Sequence, residues 1–169
     1  MKIAKVLVVA LLMMTLPQLV SAEDKPDLKA ADSVSENREE LFKLFEKKLS
    51  GVKLVGRFTI LGRDDGALPK EAYTITSVKK MPEGDYWLFN SRIQYGDKDV
   101  TLPLPLEVKW AGATPVITLT DFTIPGMGTY SSRVVIYKNK YSGTWTHGKV
   151  GGHLFGVIEK LEPDDSGAN

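Results

Sequence analysis

Cysteine is absent from all 169 residues of the chain. Small exported domains are commonly held together by disulfides, so this chain has to rely on buried apolar surface and hydrogen bonds. A strong charge of either sign is lacking too, because 22 basic side chains stand against 21 acidic ones. Without a basic stripe there is no electrostatic case for binding nucleic acid, and we expect no such partner.

Long apolar runs are also lacking, except within residues 1–22. Lys2 and Lys5 begin this segment, an unbroken apolar run follows, and Val20–Ala22 places small or modest side chains where a signal peptidase reads them. The run is shorter than the about 20 apolar residues that cross a bilayer, which favours a cleaved signal peptide over a membrane anchor. We therefore predict a secreted or periplasmic protein, without stable membrane insertion, whose mature chain begins at Glu23. Because cysteine is absent, we expect no acyl-lipoprotein anchor.

The mature chain divides into three predicted parts. Residues 23–33 are polar and are predicted to be a flexible leader, and residues 162–169 are acidic and turn-rich and are predicted to be a disordered tail. Between them, residues 34–161 are the predicted folded domain. This length is enough for a single domain with its own core.

One helix is predicted at the start of this domain. Ser35 is a suitable N-cap, and Gly51 suits the position that follows a helix C-terminus. The apolar residues between them recur at spacings of three and four, which gives one apolar stripe: Leu41, Leu44, Phe45 and Leu49. The opposite face mixes charges of both signs. This favours a helix packed on a sheet, or over the end of a barrel, rather than one bound to a membrane surface.

From Val52 onward the apolar period changes from 3.6 to 2, which predicts strands. About eight such strands follow one another, and short turns between them cannot make parallel crossovers. We therefore predict an all-β fold, an antiparallel up-and-down meander of about eight strands closing as a barrel, with one N-terminal α-helix. A two-sheet sandwich is the alternative, although it usually needs a long return connection. An outer-membrane barrel is disfavoured because the aromatic residues form no regular girdles.

Pro103 and Pro105 interrupt the clearest alternating stretch, residues 100–110. Residues two apart in a strand point their N–H groups the same way, so the two prolines remove two donors from one edge. We predict that the sheet is open at that edge or that the neighbouring strand diverges. This edge and the N-terminal helix are the surfaces on which an envelope protein partner would dock, if the protein has a structural or interaction role instead of a ligand.

The strand count, strand order and aromatic inward faces of residues 52–161 resemble those of the lipocalin and avidin-like group, which are calycin-type eight-stranded barrels. Lipocalins carry Gly-x-Trp on their first strand. Here Gly143–Trp145 matches this motif but lies on the seventh predicted strand, whereas the first strand carries Gly56–Phe58. Residues 109–112 and 141–153 also resemble stretches of uncharacterised secreted bacterial proteins.

A heavy aromatic load lies on the predicted inward faces. Barrels of this strand number are either filled by side chains or hold one small ligand. Because Gly56, Gly143 and Gly156 leave space on or beside these faces, we predict a non-enzymatic barrel that binds a small apolar or aromatic molecule, with a side-chain-filled core as the alternative. The predicted ligand-binding residues are Phe58, Trp87, Phe89, Tyr95, Trp110 and Trp145.

A further alternative is a metal-binding enzyme at His147 and His153, the only two histidines. If residues 145–147 and 153–155 pair as a hairpin across the Gly-rich loop 148–152, the imidazoles face each other about 5 Å apart at Cβ, within reach of one metal ion. Zinc and copper usually require a third protein ligand, and the sequence shows none nearby. No nucleophile elbow or metalloprotease motif is present. We therefore predict no catalytic residues and no cofactor.

Overall fold

The structure of the chain is a computed structural model that describes residues 28–63 and 66–162, with side chains from residue 37 onward. The predicted signal peptide, residues 23–27 of the leader and residues 163–169 of the tail lie outside the described residues. Within the described part, no helix combines the length and apolar character needed to cross a bilayer. The elements are α1 (Leu28–Leu49), β1 (Val52–Phe58), β2 (Lys70–Lys80), β3 (Tyr86–Tyr95), β4 (Lys98–Ala111), β5 (Thr114–Ile124), β6 (Gly128–Tyr137), β7 (Lys140–His147) and β8 (Val150–Lys160).

Helix α1 is longer at its N-terminus than the sequence pattern predicts. It begins at Leu28 and not after the predicted N-cap Ser35, so residues 28–33 of the predicted leader are helical. The stretch begins Leu-Lys-Ala-Ala, and all of these are good helix formers. The predicted flexible leader rests instead on the polar character of residues 23–33. The helix ends at Leu49, and Gly51 then takes a left-handed conformation with φ of 66°.

The eight strands form a closed barrel in sequence order. Each strand pairs antiparallel with the next, and β1 pairs with β8 from Val52 to Phe58 to close the sheet. The predicted all-β, up-and-down barrel with one N-terminal helix is confirmed, and the two-sheet sandwich is wrong. Closure follows from the short connections, which allow each strand to pair only with its sequence neighbours and leave β1 and β8 to join.

The two ends of the barrel differ. The helix end contains α1 and the turns β2–β3, β4–β5 and β6–β7, and the open end contains the connections β1–β2, β3–β4, β5–β6 and β7–β8. Phe45 of α1 is 3% exposed, and its ring lies 4.8 Å from that of Trp87 and 5.4 Å from that of Trp110. The Glu46 carboxylate also accepts a hydrogen bond at 2.8 Å from the backbone N–H of Lys80, at the end of β2. The helix therefore closes this end of the barrel.

The ladder between β4 and β5 is short. Strand β4 pairs with β3 from Lys98 to Glu107, but with β5 only from Glu107 to Ala111. The Val108 N–H donates to the Asp85 carbonyl at 2.9 Å, on the β3 side, so the alternate residues Pro103 and Pro105 have their nitrogens on the β5 side. The edge of β4 that lacks these two N–H donors is therefore the edge that does not pair with β5 before Glu107, as the two prolines predict.

Candidate functional site in the barrel interior

The barrel interior contains a cavity of about 180 Å³, lined by side chains from all eight strands. Alternation sends every second residue of each strand inward, and most of the side chains that reach the cavity are aliphatic or aromatic. An apolar cavity of about 150 Å³ is large enough to bind benzene. The cavity therefore has room for a molecule of about one ring.

Four of the six predicted ligand-binding residues line this cavity: Phe58, Phe89, Tyr95 and Trp145. Trp87 and Trp110 do not line it, because they pack against α1 at the helix end. Both tryptophans lie on the apolar face of their strands, as the alternation predicts. Their contact with Phe45 depends on where α1 inserts, and the sequence pattern carries no information about that position.

Glu71 of β2 gives the cavity a polar wall. Its side chain is 5% exposed, and among the described residues that line the cavity it is the only charged one. Oε1 accepts a hydrogen bond from the Tyr141 hydroxyl at 2.8 Å, and Oε2 accepts one from the Tyr73 hydroxyl at 2.9 Å. Burial raises the pKa of Glu71 above its usual value, and the two hydroxyl donors oppose part of that rise.

The two tyrosines act as fixed donors to this carboxylate. Burial raises the pKa of Tyr73 and of Tyr141, and the neighbouring Glu71 carboxylate raises both further. Both hydroxyls therefore stay protonated at neutral pH. Because each donates to a different oxygen, together they hold the Glu71 carboxylate in one orientation within the cavity.

Two glycines allow Tyr141 to reach Glu71. Strands β1 and β8 separate β7 from β2, and Gly56 of β1 pairs with Gly156 of β8 along the path of the tyrosine side chain. A Cβ on Gly56 would overlap the Tyr141 hydroxyl, and a Cβ on Gly156 would lie 2.7 Å from the Tyr141 ring. The space predicted at Gly56 and Gly156 is therefore taken by Tyr141 and is not left for a ligand.

Gly143 leaves no room in the cavity either. A Cβ there would overlap the backbone carbonyl of Arg133 on the neighbouring strand β6. The glycine therefore serves the close approach of β6 and β7. The predicted space at this position is wrong, because a strand backbone and not an open volume lies next to the Gly143 α-carbon.

Aromatic side chains cover the cavity at the open end. The hydroxyls of Tyr95 on β3 and Tyr130 on β6 lie 2.5 Å apart, and Tyr130 donates at 3.1 Å to the carbonyl of Met127. This link spans the lumen, because β4 and β5 lie between the two strands. The Phe58 ring lies 6.3 Å from that of Tyr95 and 5.8 Å from that of Trp145, edge to face in both contacts. Side chains rather than backbone thus close this end of the cavity.

The two histidines are not brought together. Strand β7 turns into β8 through two residues only, so His147 pairs with Val150 and His153 pairs with Thr144. Because side chains alternate between faces, the two imidazoles lie on opposite faces of the sheet. The predicted juxtaposition of His147 and His153 is therefore wrong, since it assumed a longer loop between the strands.

Each histidine has a different local role. The His147 ring packs edge to face against Tyr130 at 4.4 Å, at the open end. His153 is exposed on the outer face, and its Nδ1 lies 3.1 Å from the Thr59 hydroxyl oxygen. Among the described side chains, those of residues 37–63 and 66–162, no three from His, Cys, Asp or Glu are grouped so that they could hold a metal ion.

Sequence reasoning missed the polar part of the site, which consists of Glu71, Tyr73 and Tyr141. One signal was present, because Glu71, Tyr73 and Ile75 are spaced by two along one strand and share a face. An acid on the apolar face of a strand indicates a buried carboxylate. The partner Tyr141 is 70 residues away in the chain, and only the register of four strands shows that it meets Glu71.

Comparison of the chain with protein-family models, with curated proteins and with solved structures found no significant match. The closed, antiparallel, eight-stranded barrel is compatible with the calycin-like architecture that the sequence resembles. The function of the cavity is therefore inferred from its volume, its lining and its charge.

The buried carboxylate has a measurable consequence for stability. A glutamate usually titrates near 4.5, and burial raises the pKa of Glu71 in the folded protein, so the folded state holds this proton more tightly. The contribution of Glu71 to the free energy of unfolding is full below about pH 4.5 and is lost as the pH rises through the raised pKa, with a slope of at most about 1.4 kcal/mol per pH unit. Urea denaturation at a series of pH values between about 4 and 8 measures this change in the free energy of unfolding.

The matched variants are Glu71→Gln and Glu159→Gln, the second on the exposed outer face of β8. The stability of wild type relative to Glu71→Gln should decrease as the pH rises, whereas Glu159→Gln should follow wild type at every pH. If the difference in the free energy of unfolding between wild type and Glu71→Gln were the same at every pH, Glu71 would titrate alike in the folded and unfolded states.

Proposed function

We propose that this protein is an exported barrel that binds one small apolar or aromatic molecule in its interior. The observation that carries the proposal is the cavity of about 180 Å³ with a mainly apolar lining. Protein cores are normally packed without voids of this size. At about 24 cal/mol per Å³, an empty cavity of this volume corresponds to about 4 kcal/mol of lost stability. A ligand that fills the cavity would recover the contacts that the lining lacks.

The two ends of the barrel interior differ, because side chains fill the helix end and the cavity extends toward the open end. At the helix end, Phe45, Trp87 and Trp110 fill the space between them. Toward the open end, Phe58 and Trp145 line the cavity. A ligand there would contact these two aromatic rings, which are held edge to face against each other.

The volume limits the size of the ligand. Pockets for drug-sized molecules have volumes of about 300–1,000 Å³, well above the volume found here. A molecule of about one ring, or an aliphatic chain of similar volume, fits without movement of the backbone. It would enter at the open end, where side chains such as Tyr95 and Tyr130, and not the backbone, cover the cavity.

Export is supported by the sequence of residues 1–22, with its positive start, its apolar run and its small residues before Glu23. A secreted or periplasmic location would make the ligand a small molecule met outside the cytoplasm. The absence of cysteine is compatible with this location, because the barrel is held together by a closed backbone ladder and a buried core.

The proposal is tested on protein isolated from the exported fraction of its own host. Native mass spectrometry should give the mass of a chain beginning at Glu23 together with one bound small molecule. Calorimetric titration of the ligand-free protein with one-ring compounds should then show a single site. A Ser91→Leu variant, which adds apolar volume at a buried cavity-lining position, should weaken this binding by about tenfold or more.

Ser142→Leu is the matched control, because Ser142 is exposed on the outer face of β7. It should bind as wild type does, and circular dichroism should show both variants folded. Absence of a retained ligand, combined with absence of binding by one-ring compounds to wild type, would reject the proposal. A chain from that fraction that still contains residues 1–22 would reject cleavage before Glu23.

A further inference from the structure

The described lining of the cavity contains one acidic side chain and no basic side chain to balance it. Glu71 is the only charged side chain among its described lining residues, and no lysine, arginine or histidine belongs to that lining. The hydrogen-bond partners of its carboxylate in the described part of the chain are the hydroxyls of Tyr73 and Tyr141. Two hydroxyl dipoles compensate a buried negative charge only in part. The interior therefore favours a positive group next to Glu71.

The Glu71 carboxylate has acceptor capacity to spare. Each of its oxygens offers about two acceptor sites, and each accepts one hydrogen bond from a tyrosine. An ionised carboxylate accepts and does not donate, so a further partner must bring its own N–H or O–H. A charged donor forms the stronger bond, because charge-assisted hydrogen bonds are roughly twice as strong as neutral ones.

The rest of the lining also suits a cation with an apolar body. The rings of Phe58, Phe89 and Trp145 border the same cavity as Glu71. Aromatic faces attract ammonium groups through the ring quadrupole, most strongly where water is excluded. The aliphatic side chains of the lining, such as Leu104 and Ile117, offer contact to a hydrocarbon portion.

We propose that the ligand of the barrel is a small amine, whose protonated amino group pairs with Glu71 while its hydrocarbon or single-ring body fills the apolar cavity. The proposal rests on the ligand-binding function proposed above and names the chemical class that the same site selects. Glu71 is then the specificity-determining residue. Tyr73 and Tyr141 are positioning residues that hold its carboxylate.

The arrangement lowers the cost of binding an ammonium group. Desolvation usually offsets the gain of a buried ion pair, but here the carboxylate is already buried in the free protein. Its orientation is also set in advance by the two hydroxyl bonds, one to each oxygen. Only the amine has to be dehydrated on binding, and a preorganised partner reduces the remaining loss of freedom.

The test compares three probes that share one ring and differ in a single group: benzylamine, benzyl alcohol and toluene. Calorimetric titration of the mature wild-type protein at neutral pH should show benzylamine binding about tenfold or more tightly than either neutral probe. In Glu71→Gln this preference should disappear, while the affinity for toluene is kept. Glu159→Gln, with its exposed glutamate, should retain the preference.

The outcomes separate this proposal from the one on which it rests. Two results would reject the proposal that the ligand is an amine: equal affinities of wild type for the three probes, or an unchanged preference for benzylamine in Glu71→Gln. Either result would leave the proposal of a ligand-binding barrel intact. Absence of binding by all three probes would overturn the amine, and together with absence of a retained ligand in the exported protein it would overturn the ligand-binding barrel too. If Glu71→Gln does not fold, the order of affinities in wild type decides, and Tyr141→Phe, which keeps Glu71 and one donor, should still prefer benzylamine.

Discussion

Replacing Phe45 with alanine is expected to lower the free energy of unfolding by about 3–5 kcal/mol. Phe45 is 3% exposed and packs edge to face against Trp87, Phe89 and Trp110. Truncation would leave a ring-sized void between α1 and the barrel, and three large aromatic side chains cannot collapse into it without moving their strands. Domains of this size are stable by about 5–15 kcal/mol, so the loss is a large fraction of the total.

The control for this variant is the preceding residue. Leu44 is 58% exposed on the same helix, and Leu44→Ala should change the free energy of unfolding by no more than about 0.5 kcal/mol. Urea denaturation followed by tryptophan fluorescence measures both variants, since two of the three tryptophans contact Phe45. Equal effects of the two substitutions would mean that α1 is not part of the cooperative core.

The second large effect is expected at Gly56, where the barrel closes. A Cβ at this position would overlap both the backbone carbonyl of Phe155 on β8 and the hydroxyl of Tyr141. The carbonyl belongs to the neighbouring strand and cannot rotate away, so Gly56→Ala has to displace β1 from β8. We expect a loss of about 3 kcal/mol or more in the free energy of unfolding, at the upper end for overpacking.

This substitution should also disturb the polar wall of the cavity. Movement of the Tyr141 hydroxyl would break its 2.8 Å hydrogen bond to Glu71, and the carboxylate would keep only the donor from Tyr73. Ligand binding should therefore weaken together with stability, which thermal denaturation and calorimetric titration of the same sample can measure. Stability changed without any change in binding would mean that Tyr141 does not support the site.

Gly62→Ala separates steric overlap from backbone strain. No atom lies within 4 Å of a Cβ built on Gly62, but its φ is +82°. The cost there should be about 1 kcal/mol, the usual penalty for a side chain in the left-handed region. If Gly56→Ala were no more destabilising than Gly62→Ala, the close approach of β1, β8 and Tyr141 would not be needed for folding.

Much of the fold follows from local patterns along the chain. Alternation with period 2 from Val52 onward predicts the strands, and short turns restrict them to antiparallel pairs. The apolar stripe that includes Phe45 predicts a helix packed on the sheet or over the end of the barrel, and Pro103 and Pro105 predict the edge where the ladder stops. Each of these signals acts within a few residues of the position that it describes, and for this reason it can be read without a structure.

The site could be predicted only in part. Phe58, Phe89, Tyr95 and Trp145 line the cavity as expected, because alternation alone decides that their side chains face inward. Trp110 is equally inward-facing but packs under α1 at the helix end. How far along the barrel axis a residue lies depends on the stagger of all eight strands, and no local pattern encodes it.

The sequence by itself determined the class of fold, the direction of each strand and the face on which its residues lie. Only the tertiary structure decided that Tyr141 crosses Gly156 and Gly56 to reach Glu71, and that a cavity with a single carboxyl group in its described lining remains beside them. The physical reason is the distance along the chain. Contacts between residues 70 positions apart are set by barrel closure and by the register of the strands between them.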